Sequence, residues 1–148
     1  VIFFSAGGSG QAKDSARNAA EQGEFVHNLV TWDLREKMNA TSEEVDPGVD
    51  ESKLAELELA PCELIKTPRI AASPASFECR YMHTLEIPQN GDGGPNLLVF
   101  GEVIGIHIRD DALEEGRFDP EAQKIIARLG YANYAVASGT FRMLRPGL

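Results

Sequence analysis

The chemistry-bearing residues nearest the start of the chain are Lys13, Asp14 and Ser15, which follow a loop rich in Gly and Ser, Ser5-Ala-Gly-Gly-Ser-Gly-Gln-Ala12. A run of four apolar residues precedes the loop, and a short helical pattern follows it. A strand, a small-residue loop and a helix N-terminus in that order suit an anion. Glycine lets a ligand approach the backbone, and the first amides of a helix have no partner inside it. Lys13 adds a cation, and the serine hydroxyls add hydrogen-bond capacity. Neither of the best-known phosphate loops is matched. A Walker A loop needs Ser or Thr directly after its Lys, and Asp14 stands there. The dinucleotide G-x-G-x-x-G pattern fails because Gly8 and Gly10 are followed by Lys13 at the third position. Local chemistry alone therefore leaves two readings, a phosphate site or a plain turn, and Gly/Ser clusters are more often turns.

Other candidates are scattered. His27, His83 and His107 each sit in a strand pattern, where a hydrogen-bonded structural histidine is the default. His107 is the strongest functional candidate of the three, because it ends a Gly-interrupted strand just before Arg109-Asp-Asp111. Glu102 falls among apolar residues and is read as an acid or base with a raised pKa, or more plainly as the partner of an Arg or Lys or as part of a subunit contact. Arg128, Tyr131 and Tyr134 cluster near the end of an expected helix, where the tyrosines either stack on a planar ligand or pack on the protein. There is no Ser-His-Asp set with a nucleophile elbow. Cys62 and Cys79 show no zinc spacing and no C-x-x-C motif, and no metal is expected.

Net charge is −9 with a pI near 4.8, which argues against a nucleic-acid backbone as partner. Part of the excess is local, in Glu43, Glu44, Asp46, Asp50 and Glu51, and reads as a solvated loop face. No apolar stretch is long enough to span a bilayer, and no signal peptide is visible. With only two cysteines, reduced thiols in the cytoplasm are expected. The 148 residues are expected to form one domain with a real core. The chain lacks an initiating Met and opens inside an apparent buried strand, so upstream residues are expected.

The pattern predicts a strand over residues 1–4, apolar on both faces and hence central in a sheet. Asp14 is expected to cap a helix over 15–22 that stops at Gly23, with Ala16, Ala19 and Ala20 on its inner face. A strand over 24–30 and a helix over 32–39 follow. Residues 39–74, broken by prolines, read as a long excursion with a helical turn at 52–57; such a segment is more often functional or packed on a partner than idle. Strands over 76–86 and 97–108 form an antiparallel hairpin. Phe77, Cys79, Tyr81, His83 and Leu85 are expected on the buried face of the first, and Leu98, Phe100, Ile104, Ile106 and Ile108 together on one face of the second. Gly101 and Gly105 signal a bulge or a close backbone approach. The strongest helix signal lies at 119–130, with Asp119 as cap, Pro120 in the first turn and Gly130 as stop. A strand over 140–144 closes the pattern.

Several stretches together carry a resemblance. They are Lys-Asp-Ser-Ala-Arg-Asn18, Gly-Glu-Phe-Val-His-Asn28, Met38-Asn-Ala-Thr-Ser42, Lys66-Thr-Pro-Arg-Ile70, Ser73-Pro-Ala-Ser-Phe-Glu-Cys79, Phe100-Gly-Glu-Val-Ile104 and Arg128-Leu-Gly130 followed by Tyr134. In order and spacing the series resembles the flavin reductase-like family along nearly the whole chain. The resemblance implies a mainly β fold with helical connections, the FMN-binding split β-barrel, in a homodimer with non-covalent flavin near the subunit interface. It also implies reduction of FMN, or FAD, by NADH or NADPH, with reduced flavin passed in some members to a partner monooxygenase. A non-catalytic FMN-binding electron carrier is the alternative, and loss of the cofactor site in a chain that folds only as a dimer is a third reading.

The family's phosphate-side element places Lys13, Asp14 and Ser15 at the cofactor, with Ser5 in the preceding turn. His107, Arg128, Tyr131 and Tyr134 are candidates for the nicotinamide or substrate pocket. Hydride transfer to flavin needs no catalytic side chain, since the protein orients two rings. Two departures stand out. The family's N-terminal hairpin, of the type Asn-x-Ala-Pro-Phe-Ser, is not in this sequence. Tyr131 stands where the family often has a second glycine, and it is expected to narrow the nicotinamide pocket.

Overall fold

A computed structural model describes residues 1–7, 14–46, 48–88 and 96–147. In chain order the elements are β1 (Ile2–Ala6), α1 (Asp14–Gln22), β2 (Glu24–Asn28), α2 (Arg35–Ala40), α3 (Glu51–Leu54), β3 (Leu59–Ala60), β4 (Arg69–Ile70), β5 (Ala75–Ile87) and β6 (Asn96–Ile108). They continue with β7 (Leu113–Glu114), β8 (Arg117–Phe118), β9 (Ile126–Gly130) and β10 (Asn133–Val136). The main sheet is antiparallel in the order β1-β6-β5-β2, and it curls into the half-barrel of a split-barrel fold. The β5–β6 hairpin is its spine, as the period-2 pattern predicts.

Two irregularities in that hairpin decide which side chains are inside. Glu78 pairs with Gly105 but Cys79 pairs with Val103, which leaves Ile104 as an extra residue in β6. Tyr81 pairs with Gly101 and His83 with Phe100, which leaves Met82 extra in β5. Each extra residue reverses the alternation beyond it. The expected single face of Leu98, Phe100, Ile104, Ile106 and Ile108 is therefore split. His83 and Leu85 likewise leave the face of Cys79 and Tyr81; His83 stacks on Phe100 at 4.7 Å on the exposed side. Gly101 and Gly105 mark these places: a Cβ on Gly101 would lie 2.5 Å from Phe25 Cζ, and one on Gly105 3.2 Å from Glu78 Cδ.

Helix α1 lies on the inner face through Ala16 and Ala19, which pack with Ala6 and Val99 and against Phe4, Phe25, Tyr81 and Leu97. Gly23 ends it at φ +72°. Strand β1 occupies an edge of the described sheet, not its centre, and its outward Phe3 is 60% exposed. Cys79 is fully buried, as expected.

Two expected elements are replaced. The helix at 119–130 stops after one turn. Asp119 caps it by accepting from the amides of Glu121 and Ala122, but Lys124 takes a left-handed conformation at φ 49°. Beyond it Ile126 donates to the Val30 carbonyl, the Lys124 carbonyl accepts from Trp32, and β9 pairs with β10. Backbone partners on two sides, together with the β-branched pair Ile125-Ile126, override the helical spacing. The expected strand at 140–144 is absent, since the amides of Gly139 and Thr140 donate instead to the Glu121 carboxylate.

Gly101→Ala is expected to lower unfolding free energy by about 1–3 kcal/mol through overpacking against Phe25. Urea denaturation checks this, and an unchanged midpoint contradicts the packing described.

Candidate functional site

Residues 58–74 form a strap laid across one face of β2, β5 and β6, and side chains of the sheet hold it by its backbone. The segment carries little regular structure, so its amides need acceptors from elsewhere. Glu78 supplies acceptors for three of them. It is 1% exposed, and its Oε1 accepts from the Glu63 amide (3.0 Å) while Oε2 accepts from Leu64 (2.7 Å) and Ile65 (3.1 Å). His107 Nε2 adds a bond to Oε1 at 2.5 Å. Glu24 Oε1 accepts from the amides of Lys66 (2.8 Å) and Thr67 (2.7 Å) and from the Thr67 hydroxyl. Asn28 Oδ1 accepts from the Ile70 amide and the Ser76 hydroxyl.

These bonds set the charge states. Burial pushes the Glu78 carboxyl upward, but the Glu63 amide, His107 and the Leu64 amide together hold it below its usual 4.5. Glu24 behaves alike: burial raises it, and Thr67 and Lys66 bring it below 4.5. Cys62, on the strap, has its thiol pushed up by burial and by the Glu78 charge. Cys62, Glu78 and His107 offer donor atoms within 4.8 Å of one another.

A cleft of about 640 Å³ opens between β1, α1 and β2, lined by residues from both faces of β2, with Thr67 of the strap at its margin. Phe4 and Phe25 meet edge-to-face at 5.2 Å, and Ser15, Asn18 and Gln22 bring polar groups from α1. Its size lies within the ordinary range for a small-molecule site, about 300–1,000 Å³. His27 also lines it, stacked on Phe77 at 5.7 Å, and burial lowers its pKa so that the ring is neutral near pH 7. Apolar walls, a few polar groups and a helix N-terminus fit a planar ring carrying a phosphate.

The sequence candidates fall in different places. Ser15 lines the cleft. Asp14 begins α1 and pairs with Arg17 at 2.6 Å. Lys13 lies outside the described residues. Ser5 pairs with Leu98 on β6, is exposed and does not line the cleft. His107 is bound to Glu78 beneath the strap. Arg128 donates to the Tyr131 carbonyl within the β9–β10 hairpin, where Tyr131 turns at φ 51°. Tyr131 is 96% exposed and lines neither of these two clefts. Tyr134 lines a second, smaller cleft of about 220 Å³ with Trp32, Arg35 and Met38. His107, Arg128, Tyr131 and Tyr134 thus do not converge on one pocket. Glu102 finds an Arg partner, forming a surface pair with Arg80 at 2.9 Å.

Glu24, Asn28 and Glu78 lie in stretches that carry the resemblance, but sequence reading assigns them no role. Strand alternation assigns Glu78 to a polar face, and only the unmet backbone amides of residues 58–74 hint that acceptors must come from elsewhere. Among the described residues no helix is long and apolar enough to cross a membrane.

Comparison with known proteins gives these residues a context. The model of the flavin reductase like domain matches residues 2–139. An uncharacterized protein of Deinococcus radiodurans is 33% identical across 98% of this chain and 64% of its own length. Another from Halalkalibacterium halodurans is 34% identical across 93% of this chain and 66% of its own. The chain therefore spans just under two thirds of the length of these relatives. Among solved structures, nitrilotriacetate monooxygenase component B from Bacillus cereus superposes with a TM-score of 0.86 at 29% identity, over 96% of this chain and 71% of that one. The 2-nitrobenzoate 2-nitroreductase of Pseudomonas fluorescens, at 24% identity and a TM-score of 0.76 over 90% of this chain and 65% of that one, shares the fold.

Because Glu24 and Glu78 titrate below 4.5 in the folded chain, their contribution to stability is complete above that value and is lost as pH falls through their folded pKa values. Glu78→Gln is expected to cost about 2–4 kcal/mol at neutral pH and to flatten the acid limb of the stability profile. Denaturation at a series of pH values checks this, and an acid limb unchanged in the variant contradicts it.

Proposed function

The chain belongs to the flavin reductase-like family, and on that premise we propose that it is a flavin-binding oxidoreductase reducing FMN or FAD with NADH or NADPH. The observation that carries this reading is the cleft beneath α1, where Ser15 stands at one end and the Phe4–Phe25 pair forms an apolar wall. Flavin, when bound, supplies the redox chemistry by accepting a hydride from the dihydronicotinamide. The chain's own residues bind and orient. Ser15 and the first-turn amides of α1 face the phosphate, with Lys13 as the cation of that element. Phe4 and Phe25 pack on the ring system and exclude water from its edge. His27, held neutral, adds no charge to the wall.

The product is proposed to serve a partner monooxygenase, a role supported by the likeness to a component of a monooxygenase system. A homodimer is part of the same reading. Phe3, Leu85 and Met82 lie 60%, 51% and 49% exposed on the main sheet, and a second copy would cover such surface. Cys62 and Cys79 are free thiols, consistent with the cytoplasm.

One observation favours the alternative, an FMN-binding electron carrier without reductase turnover. Among the described residues no Lys or Arg lines the cleft, while Glu24 does, and a second, dinucleotide ligand brings more phosphate charge.

Full-length protein titrated with FMN and assayed for NADH or NADPH oxidation with excess flavin separates the readings. Binding with turnover is expected. Binding without turnover leaves the carrier, and no binding removes both. Lys13→Ala is expected to weaken FMN binding by about 1–3 kcal/mol, and unchanged affinity removes Lys13 from the site. Sedimentation is expected to give a dimer mass; a monomer at all concentrations overturns the homodimer.

A further inference from the structure

The Glu78 carboxylate is a buried negative charge with no Lys or Arg bound to it among the described residues; its only side-chain partner is His107. Beside it lies the Cys62 thiol. Sulfur, imidazole nitrogen and carboxylate oxygen come from three segments distant in sequence, the strap, β6 and β5, and lie within 4.8 Å of one another. We infer that Cys62, Glu78 and His107 form a three-ligand site for a thiophilic divalent cation, with Zn²⁺ as its best match.

The donor set is one that zinc accepts: thiolate at about 2.3 Å, imidazole and carboxylate at about 2.0–2.2 Å, and an open fourth position for water. The carboxylate is already oriented, because the three strap amides fix both of its oxygens. Its charge is the electrostatic reason a cation belongs there. The hydrogen between His107 Nε2 and Glu78 Oε1 occupies the place the ion takes. Their 2.5 Å separation must open to roughly 3.3 Å, the ligand–ligand spacing that tetrahedral bonds of about 2.0 Å require. His107 is partly exposed, with a side chain 21% accessible. On binding, the His107 N–H moves to Nδ1, freeing Nε2 as a ligand, and the Cys62 thiol releases its proton to solvent. The ion ties the strap to the hairpin at the point where hydrogen bonds alone hold it. None of Cys62, Glu78 and His107 lines the cleft beneath α1.

The test uses the full chain, freed of metal by a chelator and kept reduced with a phosphine. Titration with Co²⁺ is expected to give a thiolate-to-cobalt charge-transfer band and four-coordinate visible bands that saturate at one equivalent and are abolished by one equivalent of Zn²⁺. Zn²⁺ is expected to raise the melting temperature. Cys62→Ser, at a partly exposed strap position, is expected to lose the charge-transfer band and to weaken Zn²⁺ binding by roughly tenfold or more, with an unchanged melting curve in chelator. His107→Gln is expected to weaken Zn²⁺ binding while keeping the sulfur band. No charge-transfer band in the parent chain, or a band that survives in Cys62→Ser, overturns the site.

Discussion

The structure depends on one arrangement, a buried carboxylate that receives the backbone of a distant segment. The apolar core is thin. Its fully buried members among the described residues are mostly alanines, with Val99 and Cys79 the exceptions, so hydrophobic burial alone fixes little of the strap. Glu78 does that work with three amide bonds and His107, and Glu24 and Asn28 continue the line. Bonds to a charged acceptor are stronger than neutral ones, and leaving one unmet in a buried site is costly. The strap is therefore anchored through its backbone, which places few demands on its side chains beyond the prolines at 61, 68 and 74.

That anchoring explains the hairpin's irregularities. Gly105 faces Glu78 because a side chain there would crowd the carboxylate, and Gly101 faces Phe25 for the same steric reason. The extra residues Ile104 and Met82 reset the faces, so β5 and β6 can serve the strap on one side and α1 on the other. One consequence is an apolar exposed area around Phe3, His83 and Phe100.

Much of this was legible in the sequence. The hairpin, α1 with its Gly23 stop and the buried Cys79 followed from periodicity and turn chemistry, and the resemblance supplied the barrel and the family. The face assignments were not legible, because a single extra residue in a strand leaves no compositional mark. Neither was the turn at Asp119, whose cap forms but whose continuation is decided by hydrogen bonds to Val30 and Trp32, remote in sequence. Among the site residues, Ser15 lines the cleft and Ser5 does not. His107 was singled out for its place after two glycines; its partner, Glu78, was hidden by an ordinary alternating pattern.

Strap and cleft share a border. Glu24 and Thr67, bonded to each other, both stand at the margin of the cleft beneath α1, so anchoring the strap also shapes the proposed flavin site. Hydrogen–deuterium exchange of the full chain with and without FMN tests this account most directly. The predicted result is added protection in α1, β2 and residues 66–67, with the β9–β10 hairpin unaffected. Protection confined to the second cleft around Trp32, Met38 and Tyr134, or none at all, would contradict it.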